Sequence, residues 1–192
     1  MRCEYQIKNL HRGQGVCYNF GMDAKTPEYG TIAHLIELAI QGERVTEAFY
    51  KRLSAKFSSH PEIERFWLEY AAEENGHARW LEGLRKRVPA EQLEQYADPV
   101  MLEEAERAIT VPIDNLVRSI RTLQDAYEVA NELEHSETNT VFDFLIGHFA
   151  EDPQTQNFLR AQLNEHIGRL IIQFPRQYGT GSLRRGIEAR QE

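Results

Sequence analysis

The chain has 192 residues with a formal net charge of −8, and 41% of its residues are hydrophobic and 27% charged. This length and composition predict one globular domain with a buried core, and they exclude wholesale disorder. The negative charge argues against a nucleic-acid-binding protein. Because the sequence has no run of about 18 apolar residues and no secretory leader pattern, we expect no membrane span and a cytoplasmic location.

Residues 1–27 are rich in glycine and polar residues and lack a helical period, so we predict an N-terminal extension there. Its two cysteines, Cys3 and Cys17, form no CxxC motif. Two thiols cannot supply the four thiolates of a rubredoxin-type iron site, and no disulfide framework is expected. The sequence TPE at residues 26–28 predicts a helix start, because proline is favoured in the first turn of a helix.

Four long helical patterns follow this start. We predict helices at residues 28–58, 61–87, 112–149 and 153–175. Very short turns before Pro61 and Pro153 join the first helix to the second and the third to the fourth. Such turns make the joined helices antiparallel neighbours.

The second and third helices are separated by a long connection, residues 88–111, with a predicted short helix at 100–109. Two helical hairpins joined by one long crossover predict an all-α, ferritin-like antiparallel four-helix bundle. We place the bundle at residues 28–176 and an irregular C-terminal tail at 177–192.

Core positions of a bundle helix recur at alternating steps of three and four residues. On all four helices these steps place a glutamate near the middle of the apolar stripe. The glutamates are Glu43, Glu74, Glu134 and Glu165. Glu137 follows one turn after Glu134, and His77 follows Glu74 in an ExxH pattern that puts both side chains on one face. A charged residue at the centre of several apolar stripes is hard to explain as surface charge.

The fourth helix fits two registers. The first places Phe158, Ala161, Glu165, Gly168 and Ile172 on the seam, and the second places Leu159, Leu163, His166, Leu170 and Phe174 there. Glu165 and His166 lie about 100° apart on a helix, so at most one points squarely at the bundle centre. Both are candidate ligands.

The two hairpins also look like two copies of one unit. The same number of residues separates Glu43 from Glu134 and Glu74 from Glu165. The two prolines that start the second and fourth helices are one residue further apart, which indicates a slip of one residue in the turn.

Unpaired carboxylates in a bundle core would cost several kcal/mol each or would have to be protonated. A pair of divalent cations removes this cost, and carboxylates with histidine suit iron or manganese. Tyr50 also lies on the seam, where its hydroxyl can donate to a ligand. In a second ExxH pattern, Glu132 to His135, Glu132 lies about 200° round the helix from Glu134. Both residues of this pattern are expected to face solvent.

These motifs resemble those of the rubrerythrin branch of the ferritin-like superfamily over about residues 30–175. The resemblance rests on Glu43, on Glu74 with His77, and on Glu134 with Glu137. It implies two iron ions, with manganese or mixed metals as the alternative. The implied metal ligands are Glu43, Glu74, His77, Glu134, Glu137, Glu165 and His166, and the implied catalytic residues are Glu43, Glu134, Glu137 and Tyr50.

The resemblance further implies a homodimer that reduces hydrogen peroxide, or reacts with dioxygen, using electrons from a separate donor protein. The sequence departs from the family pattern on the fourth helix, where no ExxH places a second ligand beside Glu165 or His166. This departure keeps a non-catalytic iron-handling protein as the alternative function. A structural bundle with a decayed site and another ferritin-like enzyme, such as a hydroxylase, are further alternatives.

Overall fold

The computed structural model describes residues 29–134, 137–150 and 152–178, without the side chains of 137–139, 171–173 and 175–178. The predicted N-terminal extension, with its two cysteines, lies outside the described residues, as does nearly all of the predicted tail. The division of the chain into extension, bundle and tail therefore stays a prediction.

The described residues form eight helices. They are α1 (Ile32–Lys56), α2 (Pro61–Arg87), α3 (Ala90–Leu93), α4 (Pro99–Ile109), α5 (Ile113–Ser119), α6 (Leu123–Glu134), α7 (Glu137–Phe149) and α8 (Pro153–Tyr178). Between residues 29 and 178 the described part holds no strand, and an isolated antiparallel bridge joins Thr31 to Tyr96. The all-α prediction is confirmed. No described helix is long and apolar enough to cross a membrane.

The first helix starts later than the sequence predicted. Gly30 adopts a φ of 83°, which is outside the helical region, and Thr31 is extended. The Thr31 hydroxyl then accepts a hydrogen bond from the His34 amide at 3.3 Å and caps the helix. Helix α1 therefore begins at Ile32 rather than at residue 28.

The long third helix predicted at 112–149 is divided in the structure. Ser119 ends α5, and a new cap begins α6, where the Asp125 carboxylate accepts from the amides of Arg121 at 2.7 Å and Thr122 at 3.0 Å. The Thr122 hydroxyl accepts in return from the Asp125 amide at 3.2 Å. This reciprocal capping box starts a second helix where the hydrophobic period alone predicted a continuous one.

The helices pack so that α1 lies along α2, α8 lies against α6 and α7, and α4 covers α1 and α7. Their buried apolar residues form two clusters. One, the Ile36 cluster, includes Ile36, Ala39, Leu81, Val141, Leu159 and Leu163. The other, the Trp67 cluster, includes Tyr50, Trp67, Tyr70, Ala130, Leu170 and Phe174. Along α1, α2 and α8 each cluster occupies one part of the helix, so a polar layer lies between them.

The structure settles the register of α8. Leu159, Leu163, His166, Leu170 and Phe174 are buried, as the second register predicted. Phe158 is 60% exposed, and Glu165 is also exposed, so the first register is wrong. The separation of Pro61 and Pro153, the prolines that start α2 and α8, equals that of Glu74 and His166. Glu74 and His166 therefore lie at equivalent positions of the two helices.

Candidate metal centre

Ionisable side chains from four helices meet in the polar layer between the two apolar clusters. They are Glu43 from α1, Glu74 and His77 from α2, Glu134 from α6 and His166 from α8. Glu43, Glu74, Glu134 and His166 are only 1–4% exposed. Since buried charges are costly unless paired, these residues must compensate one another or bind ions.

The five side chains form two overlapping groups with the spacing of metal ligands. One group is Glu43, Glu74 and His77, and the other is Glu74, Glu134 and His166. Within each group one ligand atom per residue lies within 4.8 Å of the others. Glu74 belongs to both groups, so its two carboxylate oxygens can serve two ions at once.

Each carboxylate oxygen of Glu74 lies near a different histidine. Its Oε2 lies 3.1 Å from His77 Nδ1, and its Oε1 lies 3.0 Å from His166 Nε2. Glu43 Oε2 lies 3.5 Å from His77 Nδ1, and Glu134 Oε1 lies 2.9 Å from His166 Nε2. Each half of the layer thus pairs one histidine with one glutamate of its own and with the shared Glu74.

The side of the polar layer formed by Glu43 and His77 is protonated when no metal is bound. Burial raises the pKa of Glu43 to about 8, against the hydrogen bond from His77. Burial alone would lower the pKa of His77, but hydrogen bonds to Glu43 and Glu74 outweigh it and raise the pKa to about 10. A metal ion at these atoms would therefore replace protons.

The side formed by Glu74, Glu134 and His166 also holds a proton when no metal is bound, and that proton is on His166. Burial alone would raise the pKa of Glu74, but hydrogen bonds from His166 and His77 outweigh it and hold that pKa below its usual range. Burial would lower the pKa of His166, but hydrogen bonds to Glu134, Glu73 and Glu74 raise it to about 12. Two protonated histidines thus offset the carboxylate charge of the layer.

Two buried tyrosines adjoin the ligand set. The Tyr50 hydroxyl donates to Glu134 Oε1, and its ring stacks on Trp67 with ring centroids 5.7 Å apart. Burial raises the pKa of Tyr50 well above its ordinary value, so the phenol stays protonated and acts as a donor. The Tyr70 hydroxyl donates to the His166 main-chain carbonyl at 3.0 Å and ties α2 to α8 beside the site.

Comparison with known proteins identifies the family. The model of the rubrerythrin family matches residues 34–161, which is more than half of the chain. The chain belongs to the rubrerythrin family. No curated protein and no solved structure matches it. Rubrerythrin domains are ferritin-like helical bundles, so the predicted fold family is confirmed.

The rubrerythrin match includes four of the five clustered residues. Glu43, Glu74, His77 and Glu134 lie inside the matched range, and His166 lies beyond its end. Because α8 contributes His166 at a position outside the match, this part of the site rests on the structure and the sequence pattern alone.

The structure places most of the sequence-predicted site residues together. Glu43, Glu74, His77, Glu134, His166 and Tyr50 all lie in or beside the polar layer. Glu165 points to solvent and joins neither group, which corrects its prediction as a seam residue. Glu132 is exposed, as expected, whereas His135 and the side chain of Glu137 lie outside the described residues.

The sequence analysis did not predict one residue that contacts this candidate site. Glu73 contacts His166 Nδ1, the ring nitrogen that faces away from Glu74 and Glu134. The same carboxylate oxygen also accepts from Arg169 on α8. Glu73 precedes Glu74 and lies about 100° from it around α2, so it lies at the flank of the buried stripe. It reaches His166 because His166 faces the bundle centre.

Proposed function

We propose that this chain binds two iron ions in the polar layer and uses them to reduce hydrogen peroxide. The observation that carries the proposal is the shared position of Glu74, which joins a Glu43–His77 group to a Glu134–His166 group. A carboxylate between two such groups is the arrangement by which di-iron carboxylate bundles hold their metals. The family membership of the chain supports the same conclusion.

The donor set fits iron. Three buried carboxylates and two imidazoles suit iron or manganese, whereas a thiolate site would favour zinc or an iron–sulfur cluster. The buried negative charge also suits metal cations. The pKa values of His77 and His166 are raised, so both imidazoles are protonated and offset the carboxylate charge that metal cations would offset when bound. Manganese, or one ion of each kind, remains the alternative occupant.

When bound, the two ions supply the two electrons that reduction of one peroxide molecule requires. The residues of the chain do the rest. Glu74 holds both halves of the layer together, and Tyr50 keeps a proton at its hydroxyl beside Glu134. The Ile36 and Trp67 clusters exclude bulk water from above and below the layer.

We propose that the electrons come from a separate donor protein and that the working molecule is a homodimer in the cytoplasm. Both statements follow the family resemblance. Dioxygen is the alternative oxidant.

Peroxide turnover tests this function directly. The protein is loaded anaerobically with Fe²⁺, desalted, and mixed with hydrogen peroxide in the presence of a reduced electron-donor protein. We expect many peroxide molecules to be consumed per chain while the near-ultraviolet absorption of an oxidised di-iron centre rises and falls. An unloaded sample is the control. Failure of the wild-type chain to retain iron would overturn the proposal.

An iron-handling protein is the second candidate function. The observation in its favour is that α8 offers one ligand, His166, to the groups found among the described residues, whereas the family pattern supplies two from this helix. Iron handling predicts that peroxide re-oxidises the reduced protein slowly and once per site. Catalytic turnover with a donor would rule it out.

The ligand identity on α8 gives a matched pair of variants. We expect His166→Gln to lower the iron content from about two ions per chain to about one, because it removes the only nitrogen of one group. Glu165→Gln changes the adjacent but exposed residue and should leave the iron content unchanged. Iron per chain after anaerobic loading and desalting measures both, and equal loss in the two variants would contradict the placement of His166.

A further inference from the structure

The imidazole of His166 is held from both sides. Its Nε2 lies 3.0 Å from Glu74 Oε1 and 2.9 Å from Glu134 Oε1, in the polar layer. Its Nδ1 points the other way and contacts the Glu73 carboxylate. An imidazole that donates its Nδ1 proton to a carboxylate presents the lone pair of Nε2 on its opposite side.

Glu73 is itself held in place. Its Oε2 also accepts from Arg169, whose guanidinium carbon lies 5.2 Å from the centre of the Tyr70 ring. The Tyr70 hydroxyl in turn donates to the His166 carbonyl at 3.0 Å. Arg169, Tyr70 and Glu73 thus form a connected support behind the histidine, built from both α2 and α8.

We propose that Glu73 is a positioning residue that fixes the tautomer and orientation of His166 so that Nε2 faces the metal held by Glu74 and Glu134. The inference rests on the proposed metal site. It follows from an asymmetry between the two histidines. His77 has a ligand partner, Glu74, on its own helix, whereas the contacts that orient the ring of His166 come from other helices.

A simple surface ion pair is the competing account of Glu73. The side chains of Glu73 and Arg169 are 34% and 24% exposed, which is common for such pairs. Exposed pairs contribute little, and on that account removing Glu73 leaves metal binding unaffected. That account does not explain why Glu73 also contacts Nδ1 of His166, a residue that is only 3% exposed.

Metal affinity separates the two accounts, with Mn²⁺ as a redox-stable probe. The full-length metal-free protein is titrated, and free Mn²⁺ is followed by electron paramagnetic resonance. We expect Glu73→Ala to weaken one of the two sites by about 10- to 100-fold, the usual effect of removing a carboxylate behind a ligand histidine, and to leave the other unchanged. Glu73→Gln should recover much of the loss, because its amide oxygen still accepts the Nδ1 proton.

Glu69→Gln is the charge-matched control. Glu69 is an exposed carboxylate one turn earlier on α2 that acts on Arg169 through charge. We expect this variant to bind Mn²⁺ as the wild type does. Equal weakening by Glu69→Gln and Glu73→Ala would show a general charge effect and overturn the role of Glu73.

A structural readout completes the test. In the Zn²⁺-loaded protein we expect a slowly exchanging Nδ1 proton of His166 in the nuclear magnetic resonance spectrum, assigned by its absence in His166→Gln. Faster exchange of this proton in Glu73→Ala, with unchanged circular dichroism, supports the proposal. Wild-type affinity and wild-type exchange in Glu73→Ala would overturn it while the metal site stands. If the wild type bound no metal, the proposed function itself would fail.

Discussion

Glu74→Gln should remove both metal ions from the chain, because Glu74 belongs to both ligand groups found among the described residues. We expect iron to fall from about two ions per chain to near zero. Glu43→Gln and Glu134→Gln, which each change a single group, should each retain about one ion. Iron per chain after anaerobic loading and desalting measures all three variants under one protocol.

The same substitution should destabilise the metal-free protein. Glu74 lies between two protonated histidines and is 4% exposed, so the amide leaves two buried positive charges with less compensation. Breaking a buried ion pair costs about 3–5 kcal/mol in free energy of unfolding. His166 keeps Glu134, and Glu43 can ionise beside His77 once Glu74, whose charge raises the pKa of Glu43, is neutral. We therefore expect the lower end of that range in urea denaturation.

Glu132→Gln is the control for Glu74→Gln. Glu132 is an exposed glutamate on α6, two residues before Glu134. Its amide variant should keep both ions and wild-type stability, since surface substitutions usually change the free energy of unfolding by less than about 0.5 kcal/mol. Retention of two ions by Glu74→Gln would contradict a shared carboxylate.

The first three glutamates of the site were predictable because hydrophobic periodicity reports which side of a helix is buried. On α1, α2 and α6 the apolar stripe is long and unambiguous, so Glu43, Glu74 and Glu134 fell on it and proved 1–4% exposed. Periodicity also placed Tyr50 on the seam, and Tyr50 is fully buried beside Glu134. A charged residue inside such a stripe is informative because burial of charge is costly.

Helix α8 shows where periodicity fails. Two interleaved apolar stripes fit its sequence. The separation between the paired glutamates favours the wrong stripe, whereas the separation between the two helix-starting prolines favours the correct one. Proline fixes where a helix begins, so an offset measured from Pro61 and Pro153 carries the register into the helix. That offset pairs Glu74 with His166 and Trp67 with the buried Leu159.

The hydrogen bond between Glu73 and His166 could not be predicted from the sequence, because it joins residues on α2 and α8 that no local spacing relates. The division of the third predicted helix, by contrast, was readable, because Thr122 and Asp125 have the spacing of a capping box. Local chemistry can be read from one chain segment, whereas pairing across a bundle depends on packing.

Metal binding at pH 7 should release about three protons per chain, because the metal-free site holds protons on its ligands. The pKa of His77 is raised to about 10 and that of His166 to about 12, so both imidazoles are charged at pH 7. The pKa of Glu43 is raised to about 8, so this carboxyl is mostly protonated as well. Metal ligation requires neutral imidazoles and an ionised carboxylate, so all three protons must leave.

The sign of the pH dependence follows from these protons. As pH rises, fewer protons have to be displaced, so the metal affinity rises. For both ions together the slope should be about three decades per pH unit below pH 8 and about two between pH 8 and 10. Calorimetric titration with Mn²⁺ in two buffers of different ionisation enthalpy counts the protons directly.

The variant His77→Gln separates ligand protons from protons released elsewhere in the chain. It removes one of the three titrating groups and one nitrogen ligand, so the remaining ion should bind with a release of about one proton, from His166. A wild-type release below about one proton would mean that the histidines are neutral before binding. The ion pairs that join His77 to Glu74, and His166 to Glu74 and Glu134, would then not be what stabilises the buried layer in the metal-free state.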